Sequence, residues 1–180
     1  MIRKLTSALG RFRREENGQM VVEFALVIPL IFTIFMTSVE LGLYSMRQMF
    51  LDRGLDMAVR QVRLNTSSQF SHTQVKAMIC KFAGFIENCD SQLKLEMTPV
   101  DLRNFAGLNT TIDCTDASQP VAPVSSFIPG GEHEMMLLRA CYKFHPVFAT
   151  SGLGYQMSQN GDGAGMAKMI SMAAFVQEPQ

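Results

Sequence analysis

Two residues near the N-terminus stand at a spacing that permits one specific piece of chemistry. In ENGQMVVEFALVIPLIF, Glu16 to Phe32, Gly18 lies just outside an apolar run and Glu23 just inside it. A carboxylate at the edge of a hydrocarbon layer costs free energy unless it is paired or reaches the headgroups. Hydrolysis of the Gly18–Gln19 peptide bond would leave a free α-amine on Gln19. Glu23 would then be the fifth residue of the shortened chain, one helical turn from that amine. At this i, i+4 spacing the two charges can neutralise each other, and a helix N-terminus favours the negative one. With the chain intact, Glu23 instead sits at the interface beside Arg13 and Arg14.

Other residues capable of chemistry are few. The histidines are His72, His133 and His145. His133 lies in GGEHEMM, which is not H-E-x-x-H and offers no second ligand one turn away. It reads as a solvated loop residue. His145 precedes Pro146 within a strand pattern, where an edge or bulge position is the ordinary explanation. GDGAG, Gly161 to Gly165, lacks the Lys-Ser/Thr of a phosphate loop and reads as a turn. The sequons at Asn65 and Asn109 are patterns that arise readily by chance. No catalytic residue, metal ligand or cofactor site is expected.

The element that positions Gly18 and Glu23 is a membrane helix. Phe24 to Met46 is apolar over 23 residues, interrupted by Glu40, and a span needs about 20 at 1.5 Å each. The first eighteen residues carry five basic side chains against two glutamates, a net +3 that leaves −3 in the remainder. This charge distribution excludes a basic footprint for nucleic acid. It also keeps the N-terminus in the cytoplasm and sends the rest across the membrane. The apolar run exceeds a signal-peptide h-region of about 7–15 residues and no A-x-A site closes it. A single-pass anchor follows.

Beyond the span, Leu51, Leu55, Ala58 or Val59, and Val62 keep helical spacing, and Asp56 to Arg60 forms a favourable acid-to-base pair. One helix is therefore expected over residues 19–64, with Pro29 producing a kink. Glu40 and Gly42 face a partner helix, or Glu40 reaches the outer interface. Residues 65–180 form the exported body. Its expected elements are a helix over Thr73–Phe85, a strand over 92–98 with Leu93, Leu95 and Met97 on one face, and a loop over Asp113–Glu132. Strands over Met135–Phe148 and Met166–Val176 follow, separated by turn chemistry in SGLGYQMSQNGDGAG. The fold class is α+β: a transmembrane helix extending into a small antiparallel-sheet periplasmic domain. Four cysteines lie on the outer side and allow three connectivities. Local pairing, Cys80–Cys89 and Cys114–Cys141, ties a helix end to its loop and staples the long loop to a strand. Without a C-x-x-C element, and in an oxidising compartment, disulfides are favoured over zinc.

The N-terminal pattern resembles the type IV prepilin family: a basic leader, Met1–Gly18, then Gln19, with Glu23 at the fifth mature position and an apolar run behind it. NGQMVVEFALVIPLIF, with Val-Glu-Phe-Ala and Pro29 six residues after Glu23, resembles the TadE-like group in particular. These are minor pilins or pseudopilins of tight-adherence (Flp) pilus systems. The resemblance covers roughly Arg11 to Arg63, and LLRACYKFHPVF loosely resembles a late strand of the family. Gln19 and Met20 depart from the commoner hydrophobic or small residues after the cut. Phe24 stands where major Flp pilins usually have Tyr, which with the chain length argues for a minor pilin. The resemblance implies cleavage after Gly18 by a dedicated prepilin peptidase and an inner-membrane location. It also implies partners among other Tad minor pilins, the major Flp pilin and the inner-membrane assembly platform. Membrane lipid is the remaining partner, and Glu23 would set the register of assembly. The rival reading is an uncleaved, membrane-anchored periplasmic protein with a ligand-binding or enzymatic body.

Overall fold

A computed structural model describes residues 18–64, 70–101, 103, 112, 114, 126–150, 152–159 and 165–179. The leader up to Asn17, most of the expected 113–132 loop, and most of GDGAG fall outside the described residues. The chain divides into two compact units, Met1–Val39 and Glu40–Gln180. Helix α1, Gln19–Leu64, contributes to both and includes Pro29.

In the first unit α1 is exposed on every side. Leu26, Leu30 and Phe35 are all more than half exposed, and the most apolar 18-residue window of the helix has no buried part. The hydroxyls in this stretch are satisfied internally. Thr33 donates to the Pro29 carbonyl at 2.8 Å, Thr37 to the Thr33 carbonyl at 2.7 Å, and Ser38 to the Ile34 carbonyl at 2.9 Å. This pattern is compatible with hydrocarbon surroundings, where no water is present to accept those protons. Met20 to Val39 is about 30 Å of helix, the thickness of a bilayer core.

The second unit begins at Glu40, so residues 40–46 of the expected span belong to the body. Here α1 buries one stripe, Leu51, Leu55, Ala58 and Val62, at the spacing of a single helical face. Val59, the alternative to Ala58, packs against the same core while partly exposed. Asp56 and Arg60 are both exposed and form no ion pair among the described residues. That correction has a simple cause: solvent competes for both charges, and such a pair is worth only about 0.5 kcal/mol.

Helix α2, His72–Phe82, starts from Ser71, whose hydroxyl accepts from the Gln74 N–H while the Gln74 side chain accepts from the Ser71 N–H. It ends three residues before the expected Phe85, at the Ala83 cap. Val75 and Ile79 are its buried residues. A short helix, α3 over Cys89–Gln92, leads directly into β1, Leu93–Pro99. Strand β2, Met135–Phe144, occupies the centre of a three-stranded antiparallel sheet, with β1 on one side and β3, Ala167–Val176, on the other. Leu95, Ala140 and Ser171 stand in one cross-strand row, and Met97, Leu138 and Ala173 in another. That face carries the core, and β3 accordingly alternates buried and exposed residues. Disulfides join Cys80 to Cys89, with Cα atoms 5.6 Å apart, and Cys114 to Cys141, at 5.3 Å. The second closes the longer loop, 27 residues against 9, and so removes more freedom from the unfolded chain.

The segment after β2 departs from expectation in two ways. Strand β2 stops at Phe144, not Phe148, which leaves His145 exposed beyond the end of a central strand instead of at an edge or bulge. Pro146 has no N–H to continue the ladder, and the residue before it is restricted as well. Second, part of the expected turn is a helix, α4 over Gly152–Gln159. Gly152 supplies a positive φ of 59° at its start, and Gly154 packs against the Phe148 backbone, where a Cβ would come within 2.5 Å of the carbonyl oxygen.

Gly54 has a comparable role that its place in mid-helix did not announce. A Cβ there would lie 2.8 Å from the Ile79 carbonyl oxygen and 3.0 Å from the Ala83 Cβ. Gly54→Ala is expected to destabilise by about 1–3 kcal/mol despite the better helix propensity of alanine. Thermal unfolding of the full chain in detergent checks this, and an unchanged or raised midpoint would contradict the close approach.

Candidate functional site

The residues that the sequence marks for processing all lie in the first unit. Gly18 is exposed, and among the described residues none beyond its chain neighbours comes within 4 Å of where a side chain would begin. Gln19 is the first residue of α1, and Glu23 follows one turn later on the exposed surface. The helix carries them at the i, i+4 spacing that would bring an amine on Gln19 and the Glu23 carboxylate to one face. Pro29 lies within the same unbroken helix.

Glu40 behaves differently from either sequence expectation. Its side chain is 1% exposed, and its two carboxylate oxygens accept the backbone N–H groups of Val147 at 3.2 Å and Phe148 at 2.9 Å. It faces neither a separate helix nor solvent. A charge-assisted bond of this kind is stronger than a neutral one, and two donors offset part of the cost of burial. Glu40 thus ties the turn after β2 to α1 at the first residue of the body. The sequence signal was available only in retrospect: Pro146 ends the strand and leaves the next amides without ladder partners.

Polar side chains also gather in a cleft of about 80 Å³ lined by Arg47, Glu87, Gln92, Tyr142, Lys143 and His145 among others. The Tyr142 hydroxyl donates to the Glu87 carbonyl at 2.7 Å. Burial raises the Tyr142 pKa above its ordinary value; the positive charge of Arg47 opposes this and the negative charge of Glu87 adds to it. The Arg47 guanidinium lies 5.0 Å above the Phe144 ring. These contacts pack the cleft wall, with Tyr142 and Arg47 each engaged by a neighbour. Among the described residues, no group of three His, Cys, Asp or Glu side chains is placed to hold a metal. His133 occupies a turn with a φ of 59°, its N–H donating to the Gln177 carbonyl.

The surface most in need of a partner is therefore the apolar helix itself, and comparison with known proteins bears on that same segment. Residues 18–60 match the family of TadE-like proteins. The TadE-like span contains Gly18, Gln19, Glu23, Pro29 and Glu40, and it ends before the sheet begins. No curated protein and no solved structure matches the chain. The TadE-like segment thus covers the exposed helix and most of the stripe onto which the body folds.

Two measurements test the geometry of the body. Glu40→Ala leaves the Val147 and Phe148 amides without their acceptor and should cost about 1–3 kcal/mol. Hydrogen exchange should accelerate at those two amides first, and unchanged protection there would refute the tie. His72 is the second case. Burial, and then the charge of Lys76, lower its pKa below 6.5, against a smaller opposing hydrogen bond to the Leu95 backbone. The unfolded chain therefore binds a proton at a higher pH than the folded one, so stability is full above 6.5 and falls as pH drops through the depressed folded value. The thermal midpoint should drop between pH ~7 and ~5, and His72→Gln should reduce that drop. An identical pH profile in the variant would remove His72 as its source.

Proposed function

We propose that this protein is a minor pilin or pseudopilin of the TadE/TadF type that serves assembly of a tight-adherence (Flp) type IV pilus. The observation that carries this reading is the coincidence of three features along one segment: Gly18 and Glu23 at the spacing of a prepilin cut, an apolar stretch to Val39 with no buried residue, and the TadE-like match over 18–60. The chain is inserted with its basic leader in the cytoplasm and its body in the periplasm, and a prepilin peptidase cleaves after Gly18. Exposure of Gly18 suits access by a protease.

Cleavage leaves the Gln19 amine one turn from the Glu23 carboxylate. The pair neutralises two charges that would otherwise be costly against hydrocarbon, and it fixes the depth of the helix in the membrane. The exposed apolar helix then packs against other Tad minor pilins, the major pilin or the assembly platform. In hydrocarbon that packing rests on close van der Waals contact and helix–helix hydrogen bonds, since lipid tails are as apolar as the helix. Pro29 introduces a kink that sets the direction of the segment.

The test is intact mass and N-terminal sequencing of the chain from its native membrane, beside Gly18→Ala. The expected native sequence is Gln-Met-Val-Val-Glu, with Gly18→Ala accumulating as the full-length form. A native chain that still begins at Met1 would favour an uncleaved, membrane-anchored periplasmic protein and overturn the pilin reading.

A further inference from the structure

The turn held by Glu40 leads into a stretch of unusual composition. From Pro146 to Gln159, PVFATSGLGYQMSQ contains no Asp, Glu, Lys or Arg. Two of its side chains are exposed although they are apolar or aromatic: Val147 is 54% exposed and Tyr155 45%. Close by, Leu41 is 54% exposed and lines an open apolar groove of about 480 Å³ with Leu153, Met157 and Ile170; Lys168 is the one charged residue among the lining. An uncharged patch with a tyrosine, with a lysine beside it, has the composition of a surface that lies in a headgroup layer.

The chain position of its tether identifies the occupant. Glu40 accepts the N–H groups of Val147 and Phe148, and Glu40 follows Val39 directly, the last residue of the exposed apolar run. A carboxylate one residue beyond a span of about 30 Å stands at the level where hydrocarbon gives way to headgroups. Whatever it holds through two hydrogen bonds is held at that level too. We infer that Pro146–Thr150 and α4, Gly152–Gln159, with the groove beside Leu41, form a lipid-contacting seat that rests the body on the outer leaflet of the membrane crossed by α1. The inference depends on the membrane anchoring in the proposed function, though not on cleavage. The buried Glu40 is the positioning residue of the seat, and Val147, Tyr155 and Leu41 contact lipid.

The chain has no tryptophan, so a single introduced indole reports its own surroundings. The full chain, reconstituted in phosphatidylcholine–phosphatidylglycerol vesicles, would carry Val147→Trp or Tyr155→Trp. Phe32→Trp, in the apolar run, and Met57→Trp, far along α1 from Glu40, serve as references. Quenching is read with lipids bearing a nitroxide either high or low on the acyl chain. At Val147→Trp and Tyr155→Trp the shallow label should lower emission roughly twofold more than it does at Met57→Trp, as expected for groups seated at the headgroup–acyl boundary. Adding Glu40→Ala to Val147→Trp should remove that excess. If Phe32→Trp is quenched by the deep label while Val147→Trp and Tyr155→Trp match Met57→Trp, the seat is overturned and the anchor stands. If Phe32→Trp also escapes quenching, the anchoring reading falls and the seat with it.

Discussion

A single helix carries two kinds of surface, one apolar all round and one apolar on a single face, and the rest of the molecule follows from where they meet. Over Met20 to Val39, α1 presents apolar side chains in every direction and ties its few hydroxyls back onto its own carbonyls. From Glu40 onward it is one-sided, with Leu51, Leu55, Ala58 and Val62 buried and charged residues such as Arg53 and Asp56 exposed. The change falls at a carboxylate. A buried anion is tolerated only where hydrogen bonds replace its hydration, and the turn at Val147 and Phe148 provides them.

The body is built economically around the one-sided part. Three strands give one apolar face, and α2 approaches α1 closely enough to exclude any side chain at Gly54. Both ends of the α2–β1 connection are held, by the Cys80–Cys89 disulfide and by the Tyr142 hydroxyl on the Glu87 carbonyl. The outer edge of β1 is partly covered, since Met97 exchanges backbone hydrogen bonds with Ser126 and Ile128. On β3 the Gln48 amide reaches the Ile170 carbonyl at 3.1 Å while also bonding Asp52. Such contacts occupy strand-edge groups that would otherwise be open to pairing.

Much of the candidate site was legible in the residues themselves because its information is one-dimensional. The distance from Gly18 to Glu23, the length of the apolar run and the charge imbalance of the leader are all counts along a chain, and the TadE-like match covers that segment. The alternation of Leu93, Leu95 and Met97 likewise announced a strand with one buried face, because the side-chain period of a strand is two. The end of β2 and the presence of α4 were less legible. Glycine-rich, uncharged sequence after His145 has the local signals of a turn, and what makes Gly152–Gln159 a helix is packing, with Gly154 pressed against the Phe148 backbone.

By itself, then, the sequence determined the apolar helix, its basic flank, the Gly18-to-Glu23 spacing and the α+β class, since each rests on local periodicity, counting or composition. Only the tertiary structure decided where the body begins and what Glu40 is for. The reason is that hydrogen-bond partners of a buried charge are chosen by folding: Val147 and Phe148 lie more than a hundred residues from Glu40 in the chain and meet it only when the sheet is formed. Gly54 belongs to the same class. In the sequence it is a weak point in a helix, and in the fold it is the place where a second helix comes close.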